Sequence, residues 1–164
     1  MDTTSQDARR IRPAAADDVA GIIDVIHGVF AEYGFIFDPR TDFPDILSFD
    51  DSYGGGGAAF YVAEEQGAIA GTIAVELHPP GEEAEIKRLY VRASSRGRGL
   101  GRDLAETTLR WARESGARRM RLWTDTRFTV AHRLYERLGF TRGGQRLLGD
   151  VNESVEYEYT LGLD

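Results

Sequence analysis

Between residues 96 and 102 the chain reads Arg-Gly-Arg-Gly-Leu-Gly-Arg, alternating guanidinium side chains with glycines that have no side chain. The residues before it, Glu85–Val91, carry β-branched and aromatic side chains at Ile86, Tyr90 and Val91 and read as a strand. A helical pattern begins near Gly99. Strand, glycine-rich turn and helix start together describe an anion cradle. The first amides of a helix have no intrahelical acceptor, and the macrodipole adds positive potential there. Gly97, Gly99 and Gly101 present no Cβ to hold a phosphate away from those amides, and they tolerate positive φ. Arg96, Arg98 and Arg102 add charge-assisted donors. In a chain of net charge −7, three arginines so close together call for an anionic ligand or for acids nearby. The competing reading of the loop is a solvated Arg/Gly turn.

A second stretch with chemical character is Tyr33–Tyr53. It holds Tyr33, Phe35, Phe37, Phe43, Phe49 and Tyr53 among Asp38, Asp42, Asp45, Asp50 and Asp51. Aromatics with acids in an irregular connection suit a pocket for a cationic or amine-bearing ligand. They suit equally a loop whose rings cover the edge of a core. Pro39 and Pro44 leave room for only a short helix, near Asp45–Phe49.

The elements that must position these residues follow from periodicity. Arg9–Ala14 alternates weakly and reads as an edge strand stopped by Pro13, after a frayed end at residues 1–7. Val19, Ile22, Ile23, Ile26, Val29 and Phe30 share a helical face behind Asp17 and Asp18, with His27 as a half-buried structural histidine. Gly54–Gly57 reads as a flexible joint, or less readily as a moving lid. Ala58–Glu64 and Ile69–Leu77 form a hairpin around Gln66-Gly67, and Glu85–Val91 pairs antiparallel with its second strand. Glu82-Glu83 reads as a solvated pair. Leu100, Leu104, Thr108, Trp111 and Ala112 form a helical face ended by Gly116, and Arg119–Asp125 alternates as a strand with Met120, Leu122 and Thr124 on one side. The strand–helix–strand unit 85–125 should be a right-handed parallel crossover. Val130–Leu138 is a further helix, and Arg146–Leu148 with Ser154–Leu161 closes the chain as a hairpin. The expected fold is α/β in the α+β sense. It is a mixed, mostly antiparallel sheet of about six to seven strands with helices on both faces, in one domain spanning 1–164.

Composition excludes several classes. With 164 residues, 41% hydrophobic and 29% charged, the chain suits one globular core. It has no cysteine, so disulfides and thiolate metal sites are excluded. No apolar run reaches the ~20 residues of a membrane span, and no signal peptide is evident, so a cytoplasmic location is expected. The acidic balance argues against nucleic acid as a partner.

The loop at 96–101 matches the R/Q-x-x-G-x-G/A loop of the GNAT N-acetyltransferase superfamily. Leu89-Tyr90-Val91 stands where that family has a short apolar triplet, and Leu134-Tyr135-Glu136-Arg137-Leu138-Gly139-Phe140 matches its L-Y-x-x-L-G-F helix end. The chain therefore resembles this superfamily over roughly residues 9–161, in layout more than in residues through its N-terminal half.

What the resemblance implies can be placed on this sequence. The amides and side chains of Arg96, Gly97, Arg98, Gly99, Leu100, Gly101 and Arg102 would hold the pyrophosphate of acetyl-coenzyme A, with no metal. The backbone of Leu89, Tyr90 and Val91 would take the pantetheine arm as an added strand. A bulge in that strand would open a slot for the thioester, with the Leu89 amide steadying the oxyanion. Glu85, eleven residues before Arg96, is the candidate base, with Glu76 as substitute; Tyr135 is the candidate donor to the leaving thiolate. Where many members have an asparagine, this chain has Phe128, so Asp125–Thr129 must meet cofactor or substrate differently. Tyr33, Phe35, Glu76 and Asp125 are the candidate acceptor-binding residues. The implied reaction is direct acetyl transfer to a primary amine of a small molecule or peptide, since no cysteine can carry the acyl group. A homodimer would be in keeping with the family. The alternative is a coenzyme A-binding regulatory or interaction module without turnover. Methyltransferase, dinucleotide and Walker readings of the glycines fail: three arginines would repel a sulfonium, Arg102 replaces the last glycine of G-x-G-x-x-G, and no Gly-Lys-Ser/Thr occurs.

Overall fold

The computed structural model describes residues 9–164, so the frayed end expected at 1–7 lies outside the described residues. In chain order the elements are β1 (Arg10–Pro13), α1 (Val19–Tyr33), three short helices α2 (Pro39–Asp42), α3 (Pro44–Leu47) and α4 (Phe49–Tyr53), then β2 (Ala58–Glu65), β3 (Ala68–His78), β4 (Glu83–Val91), α5 (Leu100–Glu114), β5 (Arg119–Asp125), α6 (Thr129–Arg137), β6 (Thr141–Leu147) and β7 (Val155–Gly162). The strands join one seven-stranded sheet in the order β1-β2-β3-β4-β5-β7-β6. Only β4 and β5 run parallel; every other neighbouring pair is antiparallel. The expected mixed, mostly antiparallel sheet is what the chain forms.

Side-chain alternation divides the core into two layers. Ile73 and Val75 of β3, Ala84 and Ile86 of β4, and Met120 and Leu122 of β5 pack with Leu100, Leu104, Ala105 and Leu109 of α5. On the other face, Phe60, Val62 and Ala74 pack with Ile22, Ile26 and Phe30 of α1. Each Val, Leu, Ile, Phe or Met among them, removed from water, contributes about 1.5–3 kcal/mol. α1 stops at Gly34, whose φ of +69° is open to glycine and strained for other residues.

Four expectations need correction. Residues 39–53 form three short helices, not one near Asp45–Phe49. Pro39 and Pro44 each stand in a first helical turn, where a missing N–H costs nothing, so both prolines start helices instead of breaking them. Glu83 begins β4 and meets Arg121 at 3.1 Å, so it is not a solvated residue. β6 starts at Thr141, ahead of the expected Arg146. All its residues are exposed and two are glycines, which leaves no alternation to read. His27 is exposed, stacked 4.7 Å from Phe37, and does not reach the core.

Candidate functional site

A break in the sheet creates the site. Along β3 and β4, Ala74 stands opposite Lys87 and Thr72 opposite Tyr90, so β4 carries one extra residue between them. This is a bulge, and Arg88 within it has a φ of +60°. The parallel ladder of β4 with β5 ends at the pair Ile86–Leu122. Beyond it β5 continues only with β7, as far as Asp125 opposite Glu156. The two strands part and leave a slot of about 80 Å³ lined by Ile86–Tyr90 on one side and Leu122–Asp125 on the other, with Tyr135 and Phe128 over it.

A larger cleft of about 440 Å³ adjoins the slot, within the range of small-molecule sites. Leu89, Tyr90, Val91, Arg96, Gly97, Gly99, Leu100, Gly101 and Arg102 line it, opposite Ala131, Leu134 and Leu138. Of the residues expected at a cofactor, only Arg98 is outside its walls. Gly97 and Gly99 have φ of +81° and +79°, and a Cβ built on either meets no atom within 4 Å. The space above them is open. The first α5 bond runs from the Asp103 amide to the Gly99 carbonyl, at 3.0 Å, leaving the Leu100, Gly101 and Arg102 amides without a helical acceptor. Open glycines in front of three free amides fit an anionic diphosphate. Gly101 serves differently: a Cβ there would stand 3.3 Å from Leu134 Cδ2, so its small size lets α5 approach α6.

The arginines are already partnered. Arg96 binds Glu32 through both guanidinium nitrogens at 2.7 and 2.9 Å and donates Nε to the Val91 carbonyl at 3.1 Å. Arg98 binds Glu65 at 2.8 Å, on the same carboxylate oxygen that accepts the Ser95 hydroxyl at 3.0 Å. Arg102 meets Glu106 one turn along, at 3.0 Å. Behind the loop Arg9 binds Asp103 and donates to the Arg98 carbonyl at 2.8 Å. The arginines thus owe part of their presence to local acids.

The residues proposed for proton transfer lie in two places. Tyr135 is buried at the slot, and its hydroxyl makes no hydrogen bond to a protein group among the described residues. Desolvation, with Tyr90 and Tyr159 adding to it, pushes its phenol well above the ordinary tyrosine range. Glu85 sits on β4 directly opposite Glu76 of β3, and neither lines the slot or the cleft. Glu85 lies 3.3 Å from His78 Nε2, outside hydrogen-bond geometry, and 3.7 Å from Lys87 Nζ. Lys87 also binds Glu76 at 2.7 Å. Glu76, His78 and Glu85 bring one ligand atom each within 4.8 Å of one another, and the Lys87 ammonium already serves their carboxylates.

The far end of the slot is closed by loops. Asp125 is buried and chelates Arg127 at 2.9 and 2.8 Å, and His132 Nε2 donates to the Asp125 carbonyl at 2.9 Å. Arg127 stacks 4.1 Å over Phe35 and donates to the Asn152 carbonyl at 3.1 Å. Asn152 makes two hydrogen bonds with the Ile36 backbone, at 2.8 and 2.9 Å. Phe128 packs edge-on to Tyr33 at 4.9 Å. Of the expected acceptor residues, Tyr33 and Asp125 therefore line the cavities, Phe35 stands behind Phe128, and Glu76 is remote. The aromatic segment divides: Phe43 and Phe49 are core, whereas Tyr33 and Phe35 face this rim. Sequence reasoning gave Arg88 and Asn152 no role and missed the pairing of Asp45 with Arg88 and of Arg127 with Asp125 and Asn152, contacts that are long-range or loop-borne and leave no periodic trace.

A model of the acetyltransferase (GNAT) family matches residues 24–140. The rat protein named N-acetyltransferase 8F1 is 35% identical over 113 residues, which is 66% of this chain and 50% of that protein. The uncharacterized N-acetyltransferase YjgM of Escherichia coli is 32% identical over 134 residues, 79% of this chain and 80% of that one. This chain thus spans half the length of the rat relative and four fifths of the bacterial one. Among solved structures, a Salmonella typhimurium protein determined with its cofactor acetyl-CoA superimposes with a TM-score of 0.77 at 26% identity, covering 96% of this chain and 95% of that one.

Proposed function

Because the chain belongs to the GNAT acetyltransferase family, we propose that it moves an acetyl group from acetyl-coenzyme A directly to a primary amine of a small molecule or peptide. The observation that carries this reading is the parting of β4 from β5 at Ile86 and Leu122, beside the open glycines of the loop. The Salmonella structure with acetyl-CoA supports the choice of donor.

When bound, the donor supplies a thioester carbonyl and a thiolate leaving group. The chain's part is to bind, orient and move protons. The Leu100, Gly101 and Arg102 amides hold the diphosphate, and the Leu89 amide faces the developing oxyanion. As the amine nitrogen bonds to the acyl carbon and the carbon–sulfur bond breaks, a carboxylate takes the amine proton. Glu85 is the proposed base, reached through water because it lies outside the slot, with Glu76 as substitute. Tyr135, protonated at neutral pH, hydrogen-bonds the sulfur as the thiolate forms and passes it a proton that solvent replaces; burial makes the phenol a weaker acid, so the hydrogen bond is its larger part. Tyr33 in the cleft wall and Phe128 over the slot support an amine-bearing acceptor; Asp125 lines the slot with its carboxylate held by Arg127.

The remoteness of Glu85 favours one second reading, a coenzyme A-binding module without turnover. Incubation with acetyl-coenzyme A and a panel of polyamines, amino sugars, amino acids and peptides separates the two. Mass-detected acetylation of primary amines supports the enzyme. Tight coenzyme A binding with no acetylated product across the panel supports the module.

A further inference from the structure

Arg88 is held in its unusual conformation by residues far away in sequence. Its Nε and Nη2 bind the two carboxylate oxygens of Asp45 at 3.2 and 2.6 Å, across 43 positions of chain. Its guanidinium lies 4.7 Å over the Phe43 ring, and the Asp45 carboxylate also accepts the Tyr53 hydroxyl. Thr72 donates its hydroxyl to the Arg88 carbonyl at 2.7 Å. A non-glycine residue at φ of +60° persists only where its surroundings over-determine it. Arg88 and Leu89 are the residues without a partner in the β3 register, and from that strand only the Thr72 hydroxyl reaches into the bulge. The anchor comes from α3 and α4, elements that otherwise serve the opposite core layer.

We propose that Asp45 is a positioning residue: through its clamp on Arg88 it fixes the β4 bulge and aims the Leu89 amide into the slot. The catalytic part of this statement rests on the acetyl-transfer reading; the conformational part does not. Burial draws the Asp45 carboxyl upward, but Arg88 and Tyr53 outweigh it and hold it below the usual carboxylate range, so the clamp is charged at neutral pH.

The test uses the whole protein and two readouts. In Asp45→Asn, amide exchange at Lys87 and Tyr90, which flank the bulge and pair with β3, should accelerate about tenfold, while Val62 and Met120 keep their protection. Tyr53→Phe, a milder change, should move the same amides in the same direction by less. In the Asp45→Asn background, Arg88→Gly should restore protection, since glycine takes positive φ without an anchor, whereas Arg88→Ala should not. Turnover of Asp45→Asn should fall at least tenfold in kcat, with KM for acetyl-coenzyme A within about twofold. Unchanged exchange in Asp45→Asn, or equal behaviour of the glycine and alanine variants, overturns the clamp. The exchange pattern without turnover in the wild type would leave the clamp standing and remove the acetyl-transfer reading.

Discussion

Arg96 in the glycine loop is held by Glu32 in the last turns of α1, through two hydrogen bonds of 2.7 and 2.9 Å. The pair ties the loop to the helix on the other face of the sheet, and it competes with any anion for the same guanidinium. Both side chains are about one-third exposed, so the pair adds only about 0–1 kcal/mol to stability. Glu32→Ala should therefore barely change the melting temperature, yet tighten coenzyme A binding by up to about fivefold. Calorimetric titration at two salt concentrations checks this, the gain shrinking as salt rises. Weaker binding in Glu32→Ala would mean that Arg96 must be held still to serve.

The three glycines should respond differently. Gly97→Ala and Gly99→Ala put a methyl group in front of free amides and a side chain at positive φ. Each should lower coenzyme A affinity about tenfold or more and cost about 1–2 kcal/mol of stability. Gly101→Ala presses on Leu134 instead, and its effect should appear chiefly as a lower melting temperature. Paired thermal melts and binding isotherms distinguish the two patterns.

The Tyr135 hydroxyl has no protein partner among the described residues, so Tyr135→Phe should fold normally. It should reduce kcat about a hundredfold with coenzyme A affinity retained. Glu85→Gln should do the same, and Glu76→Gln should matter less. Full activity in all three variants would assign proton transfer to solvent.

Alkaline pH should unfold the protein early. Desolvation pushes the Tyr90 phenol up to about 12, and Tyr53 and Tyr135 are raised as well. In the unfolded chain these groups ionise near ~10. The stability linked to each is full below ~10 and is lost as pH rises toward the folded value. For Tyr90 alone this amounts to about 2–3 kcal/mol. Urea melts between about pH 8 and pH 12 should show the decline, and Tyr90→Phe should soften it.

Much of this molecule is legible in its residues because local rules suffice there. Ile22, Ile26 and Phe30 follow helical spacing and form the buried face of α1; Met120 and Leu122 alternate and point into the core. The glycine loop announces itself through residues that only an open, positive-φ turn requires. Illegible are the contacts made by chemistry across long chain separations. Asp45 meets Arg88, Asn152 meets Ile36, and Glu65 meets Arg98, and nothing periodic marks any of them. The arginines show how this misleads. Their density suggests ligand binding, and two of the acids that neutralise them, Glu32 and Glu65, lie far off in the chain, while Glu106 stands one turn away on α5.

The clasp made by Asn152, Arg127 and Phe35 has an evolutionary consequence. It joins three irregular segments to one another by side-chain contacts, while the glycine loop at the other end is set between β4 and α5. Loop segments tied only to one another can change in sequence without disturbing the sheet and helices that carry the glycine loop. Under the acetyl-transfer reading, this rim is where a change of acceptor would cost the frame least.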